Sequence, residues 1–126
     1  MTEEVRKEFF YTKTHEWVHI TEKTARIGIT DHAQKELTDI VYVELPESGK
    51  EVAKGEELCV VESVKSVSEI YAPLSGTVTK VNKSLEDTPE TINESPYDEG
   101  WIVELTLTKK DEVDDLLDAA AYTKLL

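Results

Sequence analysis

The chain has 126 residues, a formal net charge of −13, 39% hydrophobic residues and 33% charged residues. This is the length and balance of one ordinary globular domain, able to bury a core without cross-links and too apolar for wholesale disorder. The acidic excess disfavours nucleic acid and anionic membrane, which select basic patches, and no apolar run approaches the ~20 residues that cross a bilayer. The single cysteine, Cys59, excludes an internal disulfide and reads as a small buried hydrophobe in the run 58–61. The start, residues 1–8, has no apolar leader core and is too acidic for a transit peptide, so a cytoplasmic protein is expected.

In chain order, residues 16–21 alternate in character, 22–24 make a polar turn and 25–29 return as a second strand. Asp31 with Gln34 three residues on fits a capping box, and Ala33 and Leu37 follow at helical spacing, which predicts a short helix near 31–37. Residues 40–45 form a β-rich run ended by Pro46 and Gly49. Residues 58–62 and 67–71 read as two strands around a short polar centre, 76–81 as another, and 101–107 alternates apolar and polar. The polar stretch 84–97, with Pro89 and Pro96, reads as a loop holding one helical turn. Val113, Leu116, Leu117, Ala120 and Ala121 then recur at helical spacing. Asp111, Glu112, Asp114 and Asp115 crowd the first turns and Lys124 the last, as the helix dipole favours, which predicts an amphipathic helix near 112–124. No linker divides the chain, so one domain over residues 1–126 is expected.

Residues 43–49 and 70–76 both end in Pro-x-Ser-Gly, at an offset of 27 residues. With only Pro, Ser and Gly shared, chance is one explanation; two similar sheet halves, each turning a corner there, is the other. The second reading implies a flattened β-sandwich with pseudo-twofold symmetry. His15-Glu16-Trp17-Val18-His19 matches the zinc-protease pattern H-E-x-x-H, which works only on a helix. Here the flanks favour a strand, where residues four apart are separated by roughly 13 Å, too far for one zinc. His15 and His19 are therefore expected at the surface or an interface.

The segment 61–76 places Lys65 between two strands, with Pro73 and Gly76 following. A solvated hairpin lysine is the ordinary explanation. Yet Val60, Val61 and Val64 before it, and Val67 and Ile70 after it, would stiffen the hairpin and hold Lys65 at its tip, reachable yet fixed. A modifying ligase needs such a lysine, and so does a swinging arm.

These residues resemble the lipoylation site of the glycine cleavage system H-protein family, and the likeness spans nearly the whole chain. The segments 11–18, 28–34, 39–46, 61–65, 92–97 and Gly100-Trp101 all match its pattern. Departures are Thr38 and Asp98, where the family usually has Gly, and Thr91, where it has Leu. The resemblance implies a mainly β fold, a hybrid barrel-sandwich of the lipoyl/biotinyl hammerhead type. It implies a single non-catalytic lipoyl-carrier domain with lipoic acid on Lys65 and no metal. It further implies a shuttle that takes the aminomethyl group of glycine from a pyridoxal-phosphate glycine decarboxylase to a tetrahydrofolate-dependent aminomethyltransferase. A dihydrolipoyl dehydrogenase would reoxidise the arm, and a lipoyl ligase or lipoyl/octanoyl transferase would attach it to the monomeric carrier. Glu62 and Gly76 match the attachment motif; Thr14, Glu16 and Glu69 match positions near the arm, where a carboxylate could hold the cationic aminomethyl group. The alternatives are a lipoyl relay protein, a biotin carrier (disfavoured because Val64 and Ser66 stand where methionines usually flank the lysine) and a zinc hydrolase.

Overall fold

A computed structural model describes residues 4–126; residues 1–3, part of the start read above as leaderless and of the expected domain, lie outside it. Nine strands form: β1 (Phe10–Tyr11), β2 (Glu16–Thr21), β3 (Thr24–Ile29), β4 (Ile40–Glu44), β5 (Glu51–Val52), β6 (Glu57–Ser63), β7 (Val67–Tyr71), β8 (Gly76–Val81) and β9 (Val103–Leu107). They make two antiparallel sheets, neither closed: six strands in the order β1-β2-β3-β9-β8-β5, and three in the order β4-β6-β7. Alternation decides the faces. Val18, Ile27, Val78 and Leu105 of the larger sheet meet Ile40, Val43, Val61 and Ile70 of the smaller in one apolar core, which also buries Cys59. Burial pushes the Cys59 thiol pKa up, as expected for a packing residue rather than a nucleophile.

The repeat has a structural meaning. Residues 46–49 lead from β4 to β5 and 73–76 lead from β7 to β8, so each Pro-x-Ser-Gly carries the chain from the small sheet to the large one. The two segments then pair, Glu51 opposite Thr77 and Val52 opposite Gly76. The glycines serve different needs. Gly49 has φ +96°, a left-handed turn, whereas a Cβ on Gly76 would lie 2.5 Å from the Thr106 carbonyl oxygen of β9.

Four local expectations are corrected. The helix α1 (Asp31–Leu37) is capped by Thr30, whose hydroxyl accepts from Ala33 N–H at 3.2 Å; Asp31 lies one place inside and accepts instead from Gln34 Nε2 at 2.8 Å. Two helical turns, α2 (Ser84–Asp87) and α3 (Thr91–Glu94), replace the single one expected in 84–97. The last strand begins at Val103, not at Trp101. Residues 112–124 are not one helix: a 3-10 segment (Lys110–Asp115) and α4 (Ala119–Leu125) are separated by extended backbone. The break exists because Leu117 exchanges two 2.8 Å backbone hydrogen bonds with Tyr11, continuing the edge at β1, after which Asp118 caps α4 by accepting from Ala121 N–H at 2.8 Å. Tertiary pairing thus overrides a helical period. The two-residue strands β1 and β5 are too short to show a period at all.

Thr38 ends α1 with φ 66° and ψ −147°, a region close to glycine-only for lack of room around Cβ. Such a conformation costs about 1–3 kcal/mol in a β-branched residue, more than the backbone entropy a glycine would lose. Thr38→Gly is therefore expected to stabilise the chain by about 1 kcal/mol. Denaturant melts check this, and a loss of stability would mean that the threonine hydroxyl outweighs the strain.

Candidate functional site

The turn between β6 and β7 is built by one hydroxyl. Ser63 Oγ accepts from the backbone N–H of Lys65 at 3.1 Å and of Ser66 at 3.0 Å, and donates to the Ser66 carbonyl at 3.1 Å. Ser63 N–H adds a 2.8 Å bond to the same carbonyl, and Val64 N–H donates to the Asp39 carbonyl at 3.0 Å, tying the tip to the body. The stiffness expected of Val64 and Val67 does not come from them: they are 67% and 64% exposed. Lys65 is exposed, and among the described residues its side chain makes one bond, Nζ to the Glu36 carbonyl at 3.2 Å, near the end of α1. Lys35 and Lys54, by contrast, pair with Asp31 and Asp115.

Glu36 lines a cleft of about 200 Å³ between α1 and β7, together with Thr14, Ile29, Leu37, Ser68 and Ile70. Thr14 also borders a larger cleft of about 460 Å³ that holds Glu16 and is closed by Tyr71, Leu116 and Leu117. Glu16 is 2% exposed. Its carboxyl accepts from the Thr12 hydroxyl, from the Thr14 hydroxyl at 2.6 Å and from Tyr71 N–H at 3.4 Å. Burial raises its pKa, opposed by the two hydroxyls and the amide, which favour the charged form.

The structure thus brings Thr14 and Glu16 together, with Thr14 shared by the two clefts. Glu69 does not join them. It lies on the exposed face of β7, opposite to Ser68 and Ile70, where its carboxyl neighbours Glu57 and raises that group's pKa. Glu62 is also exposed, paired across the sheet between Tyr42 and Val67. Gly76 sits beyond the far end of β7 from Lys65, where packing against β9 requires it.

The H-E-x-x-H residues follow β2, with no helix across them. His15 takes φ +70° and its ring bonds the Tyr122 hydroxyl at 2.7 Å and packs on His32, while His19 packs on Phe9. Both are half-buried. The sequence reading missed Thr12, Ser63 and Asn93. Asn93 accepts from Ile40 N–H at 2.9 Å and donates to the Thr38 carbonyl at 2.8 Å and Gln34 Oε1 at 3.0 Å, clamping the end of α1 to the start of β4. Only the polar spacing Ser63-x-x-Ser66, a turn signal, stood in view for any of them.

This geometry has the form of a carrier domain: an exposed lysine held at its backbone, its amine bonded to one backbone carbonyl, beside two clefts. The chain matches the family model described as glycine cleavage H-protein over residues 9–126. It is 56% identical to a probable glycine cleavage system H protein of Thermococcus gammatolerans over 97% of this chain and 92% of that one. It is 52% identical to the glycine cleavage system H protein of Thermus thermophilus, covering 98% and 96%. A crystal structure of a glycine cleavage system H protein from Mycobacterium marinum superimposes with a TM-score of 0.89 at 38% identity, over 95% of this chain and 97% of that one. The chain belongs to the glycine cleavage H-protein family, the lipoate-carrying and non-catalytic component of that system. No helix among the described residues is long and apolar enough to cross a membrane.

Because the folded chain holds the Glu16 proton more tightly than the unfolded chain, Glu16 contributes most favourably below the ordinary carboxylate range. That contribution is lost as pH rises from about 4.3, the unfolded value, through the raised folded value. Glu16→Gln is therefore expected to gain thermal stability relative to the parent between pH 4 and pH 7. Melting temperatures measured across this range check it, and a constant difference would show that the carboxyl is not under strain from burial.

Proposed function

We propose that Lys65 is the lipoyl attachment site and that Glu16, with Thr14, receives the cationic end of the cargo. The observation that carries this reading is the sequence of contacts that begins where the Lys65 amine bonds the Glu36 carbonyl: Glu36 lines the α1–β7 cleft, and Thr14 borders both that cleft and the one holding the buried Glu16. The residues suit a lipoyl arm: an exposed lysine with no carboxylate partner among the described residues, apolar walls at Ile29, Leu37 and Ile70, and a buried acidic group, Glu16, in the adjoining cleft. When bound, the lipoyl group supplies a disulfide that takes up the aminomethyl group and is reoxidised after handing it on.

The protein's own part is placement. For attachment, the Lys65 amine attacks an activated acyl carbonyl; the amide forms, the leaving group departs and the amine's proton passes to solvent. The Ser63 turn and the Asp39 carbonyl hold the hairpin, so that the arm swings from a fixed pivot and its free end stays at high local concentration. In the cleft, Thr12 and Thr14 already donate to Glu16, and an ammonium would complete a charged pair shielded from water. An exposed pair would add only ~0–1 kcal/mol, which is why retention needs this burial. The partners are the pyridoxal-phosphate glycine decarboxylase, the tetrahydrofolate-dependent aminomethyltransferase, dihydrolipoyl dehydrogenase and a lipoyl-attaching enzyme, each visited in turn by one carrier domain.

Intact-mass measurement after incubation with lipoate ligase, ATP and lipoate should show one adduct, and Lys65→Arg none. Adducts on Lys65→Arg, or several on the parent, would remove the assignment. For the cleft, glycine-charged Glu16→Gln should release ammonia several-fold faster than the parent in the absence of the transferase, whereas Glu69→Gln should match the parent. Equal release from Glu16→Gln and the parent would take Glu16 out of the mechanism.

A further inference from the structure

The outer face of the small sheet carries four exposed apolar side chains around Glu62 beside Lys65 and exposed acids further away. Tyr42, Glu62 and Val67 form one cross-strand row next to the turn, flanked by Val41 and Val64. Val41, Tyr42, Val64 and Val67 are 48%, 51%, 67% and 64% exposed, although none of them serves the core or the cleft. Beyond that row stand Glu44, Glu57 and Glu69, all exposed. Glu69 lies close enough to Glu57 to raise its pKa, an effect that Lys50 opposes. Exposed valines grouped with a tyrosine are the composition of an interface centre, and a rim of one charge sign selects a partner of the other.

Resting on the assignment of Lys65 as the attachment site, we propose that this face, centred on Tyr42 and Val67, is where the lipoyl-attaching enzyme docks, through an apolar contact with a basic surround. Reach favours this occupant over the glycine cleavage enzymes. Before modification Lys65 has only its own four-carbon stem, so the enzyme that acylates it must seat against the residues immediately around the turn. The enzymes that meet the finished arm receive a much longer tether and can bind at a greater distance. The rim acids then steer the encounter and the apolar row holds it.

The test uses the unmodified full chain, a lipoate ligase, ATP and lipoate, with adduct formation followed by intact mass. The double variant Tyr42→Ser/Val67→Ser is expected to raise the KM for the protein about tenfold, the equivalent of about 1.4 kcal/mol, with kcat nearly unchanged. The melting temperature should stay within a few degrees, since both side chains are exposed. Leu125→Ser, a comparably exposed apolar residue at the C-terminus, should leave KM unchanged. Glu44→Gln/Glu69→Gln should weaken the salt dependence of kcat/KM. An unaltered KM in the Tyr42/Val67 variant, or an equal rise in Leu125→Ser, overturns the docking face while leaving Lys65 as the acceptor. Failure of the parent itself to gain an adduct at Lys65 overturns both.

Discussion

The side-chain amide of Asn93 is the contact on which the lysine's position depends. It joins three otherwise separate pieces: the Gln34 side chain of α1, the strained Thr38 carbonyl and the first amide of β4. Thr38 can hold a glycine-like conformation only because its surroundings over-determine it, with Asn93 on its carbonyl and Gln34 on its amide. The next residue, Asp39, then presents the carbonyl that receives Val64 N–H at the hairpin tip. A short relay of hydrogen bonds, each worth about 1 kcal/mol net, thus runs from α3 to the backbone beside Lys65. The chain leaves the lysine side chain exposed, with one bond to a backbone carbonyl, while constraining the backbone immediately behind it.

The cleft shows the opposite arrangement, a charged group kept where charge is disfavoured. Glu16 is buried, which raises its pKa, yet three donors face it and favour the ionised form. An incoming cation favours the carboxylate further. The walls that create the burial come from far along the chain: Leu116 and Leu117 belong to the extended link between the 3-10 segment and α4. That link is held by the Leu117–Tyr11 pairing and by Glu112, whose carboxylate accepts from both the amide and the hydroxyl of Ser75. A single continuous C-terminal helix would not lay these residues along the cleft.

An aromatic cluster around Trp17 and Tyr97 secures the other end of the large sheet. The ring of Tyr122 stacks on Tyr11 at 4.5 Å, and its hydroxyl contacts both His15 and Thr30, the cap of α1. The helix that lines the smaller cleft is thereby anchored by the C-terminus. The N-terminal side adds chain-specific contacts: Arg6, outside the residues matched by the family model, forms two 2.7 Å bonds to Asp98, one of the departures from the family's usual glycine. The departure at Asp98 is explained by this partner, which also lowers its pKa. Thr91 is accommodated by donating to Thr88 at the start of α3.

Most strands, the short helix 31–37, the buried role of Cys59 and the extended backbone of Glu16–His19 were legible in the sequence, whereas the positive φ of His15, within the same motif, was not. They depend on period and turn residues, which are local properties. The lysine between two strands was legible for the same reason, and Glu16 and Thr14 came from the family pattern. What only the tertiary structure decided are the features set by residues distant in the chain. These are the break in the C-terminal helix at Leu117, the capping of α1 by Thr30, the role of Asn93 and the separation of Glu69 from Glu16. Side-chain alternation along β7 sends Glu69 to the outer face, but which face is outer follows from how the two sheets stack. Gly76 makes the same point: the sequence determined that a glycine stands there, while its reason, a carbonyl 2.5 Å from the missing Cβ, exists only once β9 has been laid beside β8.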